Sequence, residues 1–303
     1  MRHTHAIEIE NLCKRYGATV AVDGLSFTVP TGMIFGLLGP NGAGKTTALE
    51  CIEGLRRQDS GTIRVADIDP LSEPRRLWDI IGVQLQASGL PETMTPYEAM
   101  NLFSRYHRKQ PNRTLLDRFG LSEKADDQYA NLSMGQKRRL SLALAVAHDP
   151  EVLFLDEPTA GLDVESRLEL HDLMAEMREA GKTIVLATHD MAEAEKLCDR
   201  IAILIAGRLA VTGTPSQITA AGDKRTRISV STTQGTIVEQ QPELPDAALV
   251  SVEDGYVRYF SDNPLRPVTS LLALVEQCQD ELIDLRVERP SLEERFMEIT
   301  RRQ

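Results

Sequence analysis

Met33-Ile34-Phe35-Gly36-Leu37-Leu38-Gly39-Pro40-Asn41-Gly42-Ala43-Gly44-Lys45-Thr46-Thr47 begins as an apolar run and breaks into a glycine-rich loop that fits G-x-x-x-x-G-K-[ST] from Gly39. The pattern reads as a buried strand, a loop, and a helix starting near Lys45. A loop of this kind turns consecutive backbone N–H groups inward, where they cradle phosphate oxygens. Gly39, Pro40, Asn41, Gly42, Ala43, Gly44, Lys45, Thr46 and Thr47 are therefore the candidate nucleotide-binding residues. Lys45 would neutralise charge on the β- and γ-phosphates, and the Thr46 hydroxyl would take one Mg²⁺ position. A chance match somewhere in a chain of this length is roughly a one-in-a-hundred event. The strand before the loop and the helix after it lower those odds further.

On either side of the loop the pattern alternates. Short strands are expected at Ala6–Ile9, Leu25–Val29 and Ile34–Leu38, separated by the turn signals Asp23-Gly24 and Pro30-Thr31-Gly32. A helix over Lys45–Gly54 and strands at Gly61–Val65 and Ile80–Leu85 follow. From Thr95 to Ala147 the apolar spacing changes to a period of 3.6, through Tyr97, Met100, Phe103, Leu116 and Phe119, which predicts a helical insertion. Strand Val152–Leu155, helix Val164–Ala180, strand Thr183–Ala187, helix Met191–Leu197 and strand Ile201–Ile205 come next. This alternation implies an α/β fold with a mostly parallel sheet covered on both faces. Composition shifts near residues 212–224. Beyond that point strands at Thr226–Ser231, Thr236–Val238, Ala248–Val252 and Val257–Phe260 precede helix Val268–Glu276, strand Leu282–Val287 and helix Leu292–Ile299. The expected division is 1–222, with a helical subdomain at about 87–147, and a small α+β domain at 223–303.

Composition narrows the function classes. With 42% hydrophobic and 26% charged residues over 303 positions, the chain is ordinary globular protein of about two domains. No apolar stretch approaches the ~18–20 residues of a membrane span, and no secretory signal is evident, so a cytoplasmic chain is expected. A net charge of −11 argues against a nucleic-acid partner held by a broad basic surface. Cys13, Cys51, Cys198 and Cys278 are widely scattered and read as reduced apolar fillers.

Val152-Leu153-Phe154-Leu155-Asp156-Glu157 reads as a buried strand that delivers two carboxylates at its end. Beside a phosphate loop, Asp156 would hold Mg²⁺ and Glu157 would polarise the water that attacks the γ-phosphate. Leu132-Ser133-Met134-Gly135-Gln136 opens a helix with Ser133 as its N-cap, so its first-turn N–H groups form an anion site. The order of these elements closes with Asp156-Glu157-Pro158-Thr159-Ala160-Gly161-Leu162-Asp163. From about Ile7 to Ile218 the chain resembles the ATP-binding-cassette (ABC) ATPases.

The resemblance implies a P-loop NTPase core with a mostly parallel sheet, an antiparallel β subdomain and a helical subdomain, and it implies ATP and Mg²⁺ as ligands. It implies that Gln86, rather than its near neighbour Gln84, touches the metal and the attacking water. Asp163 would cross a dimer interface, His189 in Thr188-His189-Asp190 would sense the γ-phosphate, and Tyr16 would stack on adenine. Ser133, Gly135 and Gln136 belong to the signature loop, which in the family faces the phosphate loop of a second subunit. A single set of motifs therefore implies an ATP-dependent homodimer. Met134 departs from the pattern, since the family often has glycine there, and this puts the affinity of the cross-dimer ATP contact in question.

Arg289-Pro290-Ser291-Leu292-Glu293-Glu294-Arg295-Phe296 is similar to the tail of ATPase subunits of ABC-2-type exporters of the drug-resistance kind. The same residues also read as a capped terminal helix. The exporter resemblance implies an integral membrane permease as partner and a location at the cytoplasmic face of the membrane. Ribosome- or DNA-associated ABC ATPases are the other class considered. Those carry two cassettes or long coiled coils, and this acidic chain has neither.

Overall fold

The computed structural model describes residues 4–84, 89–221, 225–289 and 291–301. Two compact units divide the chain, Met1–Pro215 and Ser216–Gln303.

The first unit begins with β1 (His5–Tyr16) and β2 (Thr19–Pro30), both far longer than the apolar runs within them. The alternation that predicts a strand ending at Ile9 breaks because Asn11 takes a left-handed φ of 50°. The pairing with β2 slips between Ile9 and Leu12 and then resumes as far as Tyr16. A bulge of this kind flips the inward–outward order without ending the strand. After β3 (Ile34–Leu38) and α1 (Lys45–Ile52), β4 (Ser60–Val65) pairs with the far edge of β1 and completes an antiparallel sheet in the order β2-β1-β4. Next come α2 (Pro74–Ile80), β5 (Ile81–Gln84), α3 (Pro96–Tyr106), α4 (Arg113–Arg118) and α5 (Met134–Ala145). The helical period read over 95–147 thus resolves into three helices and two short 3₁₀ turns. The alternating half closes with β6 (Val152–Asp156), α6 (Val164–Glu179), β7 (Thr183–Thr188), α7 (Met191–Leu197), β8 (Arg200–Ile205) and β9 (Arg208–Gly213).

Among the described residues the main sheet has the order β5-β6-β7-β3-β8-β9, parallel throughout except for the β8–β9 hairpin. Its two faces separate cleanly by parity. Phe35, Leu37, Phe154, Val185, Ala187, Ala202 and Leu204 join one core with Ile7, Leu25, Phe27 and Leu49, beneath the antiparallel sheet and α1. Phe27 and Phe35 stack there with ring centroids 5.3 Å apart. Residues of the opposite parity, such as Gly36 and Gly82, face Cys198 and Ala145 on the helical side. All four cysteines are free thiols, with Cys51 and Cys198 buried as apolar filler.

In the second unit, α8 (Pro215–Ala220), which starts at the boundary, is followed by β10 (Thr226–Thr232), α9 (Thr236–Gln240), β11 (Ala247–Glu253), β12 (Tyr256–Ser261), α10 (Leu265–Gln277), β13 (Leu282–Glu288) and α11 (Leu292–Arg301). The antiparallel order β11-β12-β10-β13 is a split β-α-β arrangement. Its core holds Ile228, Val230, Ile237, Val257, Tyr259, Leu271 and Val275. One sequence expectation is overturned here: Thr236–Val238 is helix, not strand. Its β-branched residues favour a strand, but Gly235 turns the chain at φ 72° and the Asp280 carboxylate accepts the N–H groups of Gln234 and Thr236. Tertiary capping and the burial of Ile237 override local propensity. At α11, Ser291 and Glu294 exchange reciprocal bonds as a capping box.

Gly82 gives a direct test of the packing between β5 and α5. A Cβ at this position would land on the carbonyl oxygen of Ala145 and lie 2.8 Å from Leu153 Cδ2. Backbone cannot rotate aside, so Gly82→Ala is expected to destabilise the first unit by about 1–3 kcal/mol, as overpacking does. The midpoint of denaturant unfolding measures it.

Candidate functional site

Parallel strands end on the same side, and the register here aligns those ends closely. Leu38 pairs with Thr188 across β3–β7, and Asp156 pairs with Ala187 across β6–β7. The loop after β3, the two carboxylates after β6 and the histidine after β7 are therefore set along one edge of the sheet. Open α/β sheets bind ligands at this carboxyl edge.

The Gly39–Lys45 loop is bent as the sequence requires. Gly39, Gly42 and Gly44 sit at φ 155°, 81° and 97°, a region where side-chain-bearing residues are strained. Gly44 also passes so close to the Ala21 carbonyl that a Cβ would collide with it. Lys45 is buried, and its ammonium donates to the carbonyls of Gly39 at 2.7 Å and Pro40 at 3.2 Å. Burial lowers its pKa, against the opposing pull of Glu157 and Asp156. The Thr46 hydroxyl donates to Asp156 Oδ2 at 3.2 Å, which joins the loop to the end of β6. Burial pushes the Asp156 carboxyl up, despite that bond. This pair of oxygen donors fits a hard cation that takes its other ligands from phosphate and water. No cluster of three or more His, Cys, Asp or Glu side chains suited to a metal occurs among the described residues.

Glu157 is buried and held at φ 49°, a left-handed conformation unusual for a residue of its size. Its backbone N–H donates to Ala187, and its carboxylate accepts from His189 Nδ1 at 2.8 Å. Because a carboxylate can only accept, the contact places the proton on Nδ1 and leaves Nε2 of the largely exposed ring free to face a ligand.

Ser133, Gly135, Gln136 and Asp163 form a second group. Ser133 caps α5 in a reciprocal box with Gln136, whose side-chain oxygen accepts the Ser133 N–H at 2.9 Å. Gly135 lies against α6, where a Cβ would sit 2.6 Å from Ser166 Oγ. That hydroxyl donates to Asp163, and Asp163 caps α6 by accepting the Ser166 N–H. Those bonds hold its carboxyl below the ordinary range. Met134 is 59% exposed and contributes nothing to the core. Tyr16, at the end of β1, is 41% exposed, with the Arg56 guanidinium 5.1 Å from its ring centre. Gln86 lies outside the described residues. Its neighbour Gln84 is buried, and neither atom of its amide has a hydrogen-bond partner.

Three features of this region are missed in the reading of the sequence. Ser166 could have been read from the Asp163-x-x-Ser166 capping spacing. The buried contact of His171 with Glu193 and the buried Glu53 at the end of α1 are tertiary, and local pattern does not reveal them.

A profile described as "ABC transporter" matches residues 22–160. The linearmycin resistance ATP-binding protein of Bacillus subtilis (strain 168) is 33% identical over 98% of both chains. The Nod factor export ATP-binding protein I of Burkholderia orbicola (strain AU 1054) is 42% identical over 69% of this chain and 71% of its own. A solved ATP-binding subunit of an ABC transporter superposes with a TM-score of 0.66 at 28% identity, over 71% of this chain and 92% of that one.

Glu53 yields a pH prediction. Burial, reinforced by repulsion from Asp156 and Glu50, pushes its carboxyl up to about 8. The folded value lies above the unfolded one of about 4.3, so the contribution of Glu53 to stability is fullest at low pH and declines as pH rises through 8. Glu53→Gln is neutral throughout. It is expected to flatten that decline and to raise stability at pH 8 by on the order of 2–4 kcal/mol. Unfolding midpoints at pH 5 and pH 8 compare the two proteins.

Proposed function

The chain belongs to the ABC transporter ATP-binding family, and on that premise we propose that two copies of it hydrolyse ATP between them to drive export through a separate membrane permease. The observation that carries this reading is the convergence of Lys45, the Thr46–Asp156 pair and the Glu157–His189 pair on one sheet edge.

Each residue has a distinct role. The backbone N–H groups of the Gly39–Thr47 loop other than Pro40, together with the Lys45 ammonium, hold the β- and γ-phosphates. Lys45 is freed for this when it exchanges its two carbonyl partners for phosphate oxygens. Thr46 and Asp156 would hold Mg²⁺, with Gln86 as the further contact, and when bound the ion would supply positive charge against the phosphate oxygens. Glu157 orients a water in line with the γ-phosphorus and accepts its proton as the new P–O bond forms and the bond to the bridging oxygen breaks. His189 holds the Glu157 carboxylate through Nδ1 and presents Nε2 to the γ-phosphate. Tyr16 stacks on adenine, its ring exposed for the purpose. Ser133, Gly135 and Gln136 of one copy close on the ATP of the other. Gln136 acts by fixing the cap, since its side chain is engaged by Ser133. Asp163 lies at the same interface.

No helix among the described residues is long and apolar enough to cross a membrane. The relatives are named as resistance and export ATP-binding proteins, which supports a position at the cytoplasmic face, held there by the permease. The relative matched from end to end is named for linearmycin resistance, which supports cargo of the antibiotic type. The acidic charge of −11 supports a function without nucleic acid. Residues 223–303 take no part in the chemistry and serve dimerisation or permease coupling.

Lys45→Ala is expected to weaken ATP binding and abolish turnover. Glu157→Gln is expected to bind ATP normally, lower kcat by about 10²–10⁴-fold and accumulate an ATP-bound dimer in gel filtration. Turnover by Glu157→Gln at the wild-type rate would overturn the assignment. Met134→Gly should retain or raise activity, because the side chain is exposed, whereas Ser133→Arg should abolish it. Equal loss in both would make Met134 a required interface residue.

A further inference from the structure

The helix after Asp163 is joined at three levels, along one stripe of α6, to α7 and the residues that flank it. Arg167 Nη1 lies 3.6 Å from Asp190, His171 Nε2 lies 3.0 Å from Glu193 Oε1, and Arg178 Nη1 lies 3.3 Å from Asp199. The residues on α6 follow at i, i+4 and i+11, which places them on one face. The outer two pairs are solvent-accessible, and pairs of that kind contribute little. The middle pair is different, because the side chains of His171 and Glu193 are 6% and 1% exposed.

A buried pair of this kind is poor as core. His171 Nδ1 and Glu193 Oε2 have no hydrogen-bond partner, so each side chain leaves one polar atom unsatisfied. Apolar side chains of similar volume would pack there at least as stably. What the polar pair supplies and an apolar pair does not is a fixed direction and distance between two helices. Those helices begin at functional loops. Glu193 is in the first turn of α7, where its N–H is capped by Asp190, directly after His189. His171 lies two turns into α6, whose first turn holds Ser166 between Asp163 and Gly135.

We propose that His171 and Glu193 are positioning residues that lock the γ-phosphate-sensing histidine to the Asp163–Ser166–Gly135 surface, so that one copy's bound ATP sets the geometry offered to the other copy's. This rests on the roles given above to His189, Asp163 and Gly135. Neither residue touches ATP. Their effect is on kcat and on the cooperativity of ATP use, not on nucleotide affinity.

The test uses the full chain and compares variants that keep a hydrogen bond with variants that remove it. Glu193→Gln retains an acceptor for the imidazole N–H and is expected to hold kcat within about threefold of wild type. His171→Leu, Glu193→Leu and the combined His171→Phe/Glu193→Leu are expected to lose kcat at least tenfold. ATP affinity should stay unchanged in all four, and the Hill coefficient for ATP should fall towards one only in the three that remove the hydrogen bond. The combined variant refills the space with apolar atoms and guards against simple unfolding, which melting temperature monitors. The proposal is overturned if the combined variant turns over at the wild-type rate with unchanged cooperativity, or if Glu193→Gln is as impaired as Glu193→Leu. It is also overturned if kcat across the series follows melting temperature alone. His189→Ala separates this from the premise: wild-type turnover there sinks the reading of the switch histidine itself, whereas loss there with none in the His171 and Glu193 variants sinks only the pair.

Discussion

Strand polarity is the constraint from which the site follows. Because β3, β6 and β7 run in the same direction and in register, their ends deliver a phosphate loop, two carboxylates and a histidine to one edge. The strand order puts β7 between β3 and β6. His189 thus emerges between the glycine-rich loop and the carboxylate it bonds. Had β6 been the neighbour of β3, Glu157 would lie beside the loop with no group between them to orient it. The parity of the same strands divides the core, with Phe35 and Leu37 turned to the antiparallel sheet and Gly36 to the helices.

Desolvation is the second theme of the site. Lys45, Asp156, Glu157 and Glu53 are all nearly out of solvent. Burial lowers the Lys45 pKa and raises those of Asp156 and Glu53. Charged groups in such surroundings are poorly solvated by the protein alone. A bound nucleotide supplies the missing partner of Lys45, and the proposed Mg²⁺ would do the same for Asp156.

Much of this was legible in the chain itself, and the reasons are physical. The glycine positions of the loop are dictated by backbone angles, and the caps at Ser133 and Asp190 bond to residues three positions on, so both leave local marks. The ATPase core and its exporter kinship follow from motifs of that kind, in agreement with the family match and the relatives. What escaped notice depends on distance in sequence. The bulge at Asn11 hid more than half of β1, and capping by Asp280, more than forty residues away, made a helix of Thr236–Val238. His171 is an ordinary helical histidine until α7 brings Glu193 against it.

The left-handed backbone of Glu157 has a consequence for how such a protein changes over time. Glycine or asparagine relaxes easily into φ 49°, and glutamate does not. The fold therefore carries its proposed general base at a conformational penalty of about 1–3 kcal/mol. Selection for robustness alone would drift away from glutamate at this position, and only selection for turnover holds it there. A copy released from transport duty would have an easy route to becoming a sturdier protein that grips ATP and no longer spends it.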